Sequence, residues 1–296
     1  MERNKEYDAF GPWIYEIDDE NDVPNIFRSY YSIDSNCLML IKVPRKIERA
    51  KASPGMDLYD YLISAYDTYL HIFRRVGKKV IEQKVDYNSV IAIKDIHNLL
   101  RGLLILYTPK EPVIIEYNTV SEKIVSKLIN VIENRISYGE RKIQIEGIPI
   151  QDKSDSIDVL FINLFDMLQK VNPGISLAAY QSRPQIKKTK DIRQKLKNKE
   201  ILLSQTAFIV NDKELIVLER DFPKQRKEVA KYEHTFSYLF LPLQSFIGAD
   251  LTDFDVNQHL QLLQLKLTNQ TFTYLIDSVN EEILDLYNAL NLVCVI

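Results

Sequence analysis

The chain has 296 residues, an ordinary apolar share of 46% and a formal net charge of −3. That length sets two domains as the starting expectation, each able to bury its own core. A weak negative balance argues against a dedicated nucleic-acid binder, which needs a cationic excess to displace counterions. With only eight glycines, Gly-rich phosphate loops are disfavoured too. Cys37 and Cys294 stand far apart with no CxxC, the pattern of free thiols in a reducing compartment. The opening MERNKEYDAFGPW has no apolar stretch of the kind a secretory signal needs, and no run approaches the ~18–20 apolar residues that cross a bilayer. The expected location is cytoplasmic, with any membrane contact peripheral.

Residues 1–50 read as an N-terminal extension. Gly11-Pro12-Trp13 marks a turn, an acidic stretch follows from Glu16 to Asp22, and the single tryptophan, Trp13, reads as a packing residue. LMLIKV (38–43) is a buried strand that Pro44 ends or places at an edge. After Pro54-Gly55 the stretches 58–65 and 68–75 form a strand hairpin. In the second, Leu70 and Ile72 alternate with Tyr69, His71 and Phe73, a period of two. Gly77-Lys78 turns the chain, and strands are expected at 79–85, 89–96, 103–108 and 113–117. An amphipathic helix follows, with Ile124, Val125, Leu128, Ile129 and Ile132 on one stripe. Thr119 reads as its N-cap, with Glu122 three residues on closing a capping box.

Residues 138–197 read as a connector. It holds a second amphipathic segment, Ile157, Leu160, Phe161, Leu164, Phe165 and Leu168, which Asn172-Pro173-Gly174 ends. Then comes a basic, apolar-poor stretch from Lys187 to Lys199. Further strands are expected at 201–210 and 214–220 around Asn211-Asp212-Lys213, then at 238–246, 261–268 and 271–276. A charged loop covers 224–233. Ser278 with Glu281 reads as a second capping box, opening a helix with Ile283, Leu284, Tyr287 and Leu290 inward.

Sequence spacing shows no catalytic signature: no HExxH, GxSxG, P-loop or helix-opening GxGxxG. His71, His97, His234 and His259 lack a second ligand at i+3 or i+4. No cofactor or metal is expected, and the chain reads as a non-enzyme. Two basic clusters are the candidate ligand-binding residues: Lys42, Arg45, Lys46 and Arg49 around Pro44, and Lys187, Lys188, Lys190 and Arg193. Aromatics are not interleaved with the second, so single-stranded nucleic acid is not favoured.

Twice, then, a series of strands leads to a capped amphipathic helix. The stretch DYNSVIAIKDIHNLLRGLLILYT, and LFLPLQSFIGADL with LQLKLT, carry this pattern. It resembles the pleckstrin-homology (PH) superfold in its bacterial forms. Text around KVPRKIERAKASPG, LYDYLI and EYNTVSEKI is similar to a group of proteins from Bacillus-like bacteria, which implies the same fold and no known activity. The resemblance implies an α+β chain, mainly β with helices: two PH-like antiparallel barrels, each closed by a C-terminal amphipathic helix. A helix-containing connector would join them. The segments would be 1–50, 51–137, 138–197 and 198–296. The Lys-rich loop that many eukaryotic PH domains use for phosphoinositides would fall near Ala65-Tyr66-Asp67, where no cation stands, so that activity is not carried over. The functional expectation is a binding or scaffold protein recognising a protein or peptide. The alternative is a peripheral binder of acidic lipid or another anion, and the third reading is an enzyme of unrecognised type.

Overall fold

The computed structural model describes residues 5–32, 34–137, 139–145, 147, 148, 150, 157–184, 204–220, 235–255 and 259–294. The chain is mainly β with few helices, of α+β class. It divides into two compact units: unit 1 is Met1–Val90, Leu99–Leu104 and Ile114–Ser137, and unit 2 is Ile91–Asn98, Ile105–Val113 and Tyr138–Ile296.

Unit 1 opens with a five-residue helix α1 (Lys5–Ala9) and a two-residue strand β1 (Tyr15–Glu16). Four longer strands follow: β2 (Met39–Pro44), β3 (Tyr59–Ala65), β4 (Tyr69–Val76) and β5 (Lys79–Asp86). They pair antiparallel in the order β1-β2-β3-β4-β5. The period-two alternation of β4 is what the packing uses. Phe73 joins a core with Leu40, Leu58, Tyr59 and Leu62, while Leu70 and Ile72 are buried at the alternate positions. Gly77 has φ 65° while Lys78 stays at negative φ, so the β4–β5 turn is type II′, where glycine at the first central position avoids a Cβ clash. The two-residue loop makes Val76 and Lys79 a bonded pair. The same parity places Tyr87 N–H on Thr68 O at 3.1 Å. Val80, Glu82 and Lys84 therefore turn their N–H and C=O groups away from β4.

Two more strands run partly in this unit, β7 (Arg101–Tyr107) and β8 (Val113–Asn118). Gly102 of β7 lies under the Tyr117 ring: a Cβ there would meet ring carbons at 2.2 Å. Helix α2 (Glu122–Glu133) buries Val125, Leu128, Ile129 and Ile132, the stripe read from sequence.

In unit 2 a strand β6 (Ala92–Asn98) pairs with β12 (Thr235–Pro242). Beyond β12 lie β11 (Glu214–Arg220), β10 (Gln205–Val210) and β9 (Ser176–Gln181). The full sheet order is β8-β7-β6-β12-β11-β10-β9. A three-stranded sheet holds β13 (Phe246–Asp255), β14 (Leu260–Leu267) and β15 (Gln270–Asp277). Two helices complete the unit, α3 (Val159–Val171) and α4 (Glu281–Val293). One apolar core joins Phe208, Val217 and Leu239 from the larger sheet, Leu263 and Tyr274 from the smaller, and Leu286 of α4.

Among the described residues backbone pairing leaves every sheet open, so the two closed barrels of the sequence expectation do not emerge. Side chains do part of the work at the open corner of unit 2. Gln181, at the end of β9, donates to Leu275 O (2.8 Å) and accepts from Asp277 N–H (3.0 Å), standing in for a backbone rung between β9 and β15. Helix α4 lies on β9 and β13. Its Glu282 accepts from Tyr180 N–H (3.2 Å), and its Asn291 accepts from Ala249 N–H (3.0 Å). These bonds satisfy outward backbone groups that an edge strand otherwise leaves to water.

Several sequence expectations need correction. Thr119 is not the cap of α2: its hydroxyl donates to Leu99 O (2.5 Å), and α2 begins at Glu122 after Ser121. Asn280, not Ser278, caps α4, accepting from Ile283 N–H (3.3 Å), and Glu281 is the first helical residue. Both strand-to-helix passages insert extra turn residues, which shifts each cap past the expected Ser or Thr. Strands β9 and β13 were not anticipated. The long hairpin loop joining β2 and β3 spans residues 45–58, whereas Ala65-Tyr66-Asp67 lies at the short β3–β4 connection. The connector stretch from Lys187 to Lys199, with Lys187, Lys188, Lys190 and Arg193, and the loop 224–233 lie outside the described residues.

Candidate functional site

The first basic cluster does not form a bare cationic face. Each of its four charged ends meets a group of unit 1. Lys42, on β2, is nearly buried. Its ammonium donates to Asp22 O (2.8 Å) and lies over the Tyr59 and Tyr15 rings at 5.2 and 5.9 Å. Burial holds its pKa below the usual lysine value, against the upward pull of Asp22 and Glu6. Arg45 donates to Asp57 O (2.9 Å) and stands 3.9 Å from Asp60. Lys46 reaches Glu116 at 3.7 Å in solvent. The Arg49 guanidinium donates to Phe10 O (2.7 Å) and to Tyr7 O, and stacks 4.5 Å over the Tyr7 ring.

What Lys42 and Arg49 hold is the N-terminal segment. Residues 6–31 carry little regular structure, and five of their side chains, Phe10, Ile17, Val23, Phe27 and Tyr31, pack with Leu40, Tyr59, Leu62 and Phe73 of the sheet. Ile17 N–H donates to Leu40 O (2.8 Å), and β1 adds a two-residue rung on β2. Ser121 accepts from Ile14 N–H (2.8 Å), and Lys127 of α2 pairs with Glu16 (2.5 Å). Cations bonded to main-chain carbonyls recognise a backbone regardless of its sequence, and the aromatic plugs add selectivity. Trp13, expected to pack, is half exposed over Gly11. Glu6, in the same segment, has its carboxyl pKa raised by burial, with the Asn25 N–H and the Lys42 charge pulling the other way.

A second constellation lies in the core of unit 2. Glu219 of β11 accepts from Lys94 of β6 (2.5 Å) and Ser237 of β12 (3.0 Å) on one oxygen, and from Tyr274 of β15 (2.5 Å) on the other. Four strands from two sheets thus converge on one buried carboxylate. Sequence reasoning missed it because its members stand up to 180 residues apart, from Lys94 to Tyr274, and no two share a motif.

Every oxygen of Glu219 is engaged, so the arrangement works as a lock between strands. On the other face of β6, Asp95 meets His97 (2.8 Å), and the His97 ring stacks on Phe236 at 4.7 Å. His71 meets Glu82 (2.7 Å), with its pKa lowered by burial against the pull of that carboxylate. His259 sits in a turn at φ 53°, and His234 lies outside the described residues. Among the described residues no cluster of His, Cys, Asp or Glu could hold a metal ion, and both cysteines are free thiols.

The sheet edges differ in how they are finished. Side chains meet Tyr180 N–H on β9, Ala249 N–H on β13, and Leu275 O and Asp277 N–H on β15, and β8 has Ile114 O accepting from Tyr61 (3.4 Å). The eight-residue edge β5 is exposed along most of its length. Among the described residues the outward N–H and C=O groups of Val80, Glu82 and Lys84 meet no partner. No helix of the described residues is long and apolar enough to cross a membrane. No protein-family model matches the chain, and no curated protein matches it.

Proposed function

We propose that the protein is a non-catalytic binding or scaffold protein, built from two PH-like modules, that takes up an extended segment of a partner protein at the β5 edge. The edge itself carries the reading. Eight residues of antiparallel strand with open outward groups are a template for strand addition, where backbone bonds give affinity. Among the described residues each of the edges β8, β9, β13 and β15 has at least one outward group met by a side chain. The PH-like reading draws support from the element order, in which four strands, three strands and a helix occur twice (β2–β5, β6–β8, α2; β9–β12, β13–β15, α4). The test is capture of partners from the native cell by wild type and by Lys84→Pro. Proline at an outward position deletes one N–H without touching the β4 ladder. A partner held by wild type and lost by the variant supports the reading; equal capture by both removes β5 from it.

A second reading, an anionic ligand such as an acidic lipid headgroup, has one observation in its favour. Arg45, Lys46, Arg49 and Lys51 share the loop 45–58, and Lys46 and Lys51 are exposed. It is the weaker one, because Arg45 and Arg49 are bonded within unit 1. Sedimentation with acidic vesicles tests it: salt-sensitive binding lost in Lys46→Ala/Lys51→Ala favours it, and absence of binding ends it.

A further inference from the structure

We propose that residues 6–31 are a displaceable internal ligand, and that the sheet face beneath them takes an extended, acidic, aromatic segment of a partner protein in their place. This surface is distinct from the β5 edge, so either proposal can fail alone.

The segment is bound as a peptide would be. Its regular structure is limited to α1, the two-residue β1 and two single turns, Glu20–Asp22 and Asn25–Phe27. Its backbone is instead held from outside: Tyr7 O and Phe10 O by Arg49, Asp22 O by Lys42, Ile14 N–H by Ser121 and Ile17 N–H by Leu40 O. Its own backbone bonds close only local turns, such as Phe27 N–H to Pro24 O and Tyr31 N–H to Phe27 O, and such segments open more readily than paired strands.

The chemistry of the replacement follows from what it must copy. Phe10, Phe27 and Tyr31 fill the apolar face, with Phe10 edge-on to Tyr59 at 6.4 Å and Tyr31 edge-on to Phe73 at 5.7 Å. The segment carries Glu6, Asp8, Glu16, Asp18, Asp19, Glu20 and Asp22. The surface that receives it offers Lys42, Arg49 and Lys127. Charge and aromatic content are therefore complementary, which selects an acidic aromatic peptide over a basic one. Strand β2 gives such a peptide a rung as well, since β1 pairs with it only through Tyr15 and Glu16.

Two measurements on the full chain test this. In native-state hydrogen exchange, the amides of Ile14 and Ile17 should open in a step separate from global unfolding. Arg49→Ala should speed their exchange ~10-fold or more, as expected for loss of charge-assisted bonds, with the β3 amides unchanged. Exchange of Ile14 and Ile17 only through global unfolding would overturn the proposal. The second uses Phe10→Ala/Phe27→Ala, which weakens the resident segment and leaves the face intact. A labelled synthetic peptide of residues 5–31 should bind this variant more tightly than wild type, and a scrambled peptide should not. No binding of the peptide to the folded variant would equally overturn it. Should that variant fail to fold, the exchange measurement on wild type decides.

Discussion

Replacing Glu219 by alanine removes the carboxylate on which Lys94, Ser237 and Tyr274 converge. Glu219 is 1% exposed and Lys94 8%, so water cannot readily take over its place. Breaking a buried ion pair from one side costs about 3–5 kcal/mol, because the remaining charge keeps its desolvation penalty and loses its attraction. Glu219→Ala should therefore lower unfolding stability by that amount, and Lys94→Met by a similar one. The double variant Lys94→Met/Glu219→Leu replaces both charges by apolar groups of similar size. It should fall within about 2 kcal/mol of wild type, since such replacements are often close to neutral. The two sites are thus strongly non-additive. Urea unfolding followed by circular dichroism, with linear extrapolation, measures all four proteins. A loss below about 1 kcal/mol for Glu219→Ala, against the 3–5 expected, would refute the reasoning, as would a double variant as unstable as the sum of the singles.

Three smaller predictions follow from single positions. Gly102→Ala places a methyl into the Tyr117 ring, 2.2 Å from its nearest carbon; overpacking of this kind costs about 1–3 kcal/mol, read from the same urea curves. Gly77→Ala meets no atom within 4 Å but must adopt φ 65°. It should cost about 1 kcal/mol and leave unit 2 amides unchanged in hydrogen exchange. Glu6 has a folded pKa raised above 4.5 by burial. A raised carboxyl contributes stability that is full below its unfolded pKa and is lost as pH rises through the folded one. Glu6→Gln should therefore flatten the pH dependence of Ile14 and Ile17 protection above pH 4.5, and an unchanged profile would count against that assignment.

Where the sequence pattern reports one-sided burial, the elements were legible. Strand β4 alternates and α2 carries a single apolar stripe, so periodicity placed them within a few residues. Strand β9 was missed because SLAAYQ is buried almost throughout and its small residues give no alternation. Strand β13 was missed for a different reason: FIGADLTDFD mixes buried, half-buried and exposed positions without a regular period, is interrupted by register shifts, and is rich in Asp. The capping residues were each misplaced by two positions because Thr119 and Ser278 lie in turns that precede the helices. The cations Lys42 and Arg49 were visible as a cluster, but their partners are carbonyls of the N-terminal segment, and a backbone acceptor has no signature in sequence. Glu219 was invisible for a related reason, since a buried carboxylate and a solvated one are spelled alike.

The most direct test of the binding account is photo-crosslinking in the native cell from Gln83, an exposed position on β5. The account predicts a discrete adduct with a partner protein, lost when Lys84→Pro removes the outward N–H beside it. No adduct from Gln83, or one that persists unchanged in Lys84→Pro, would contradict it.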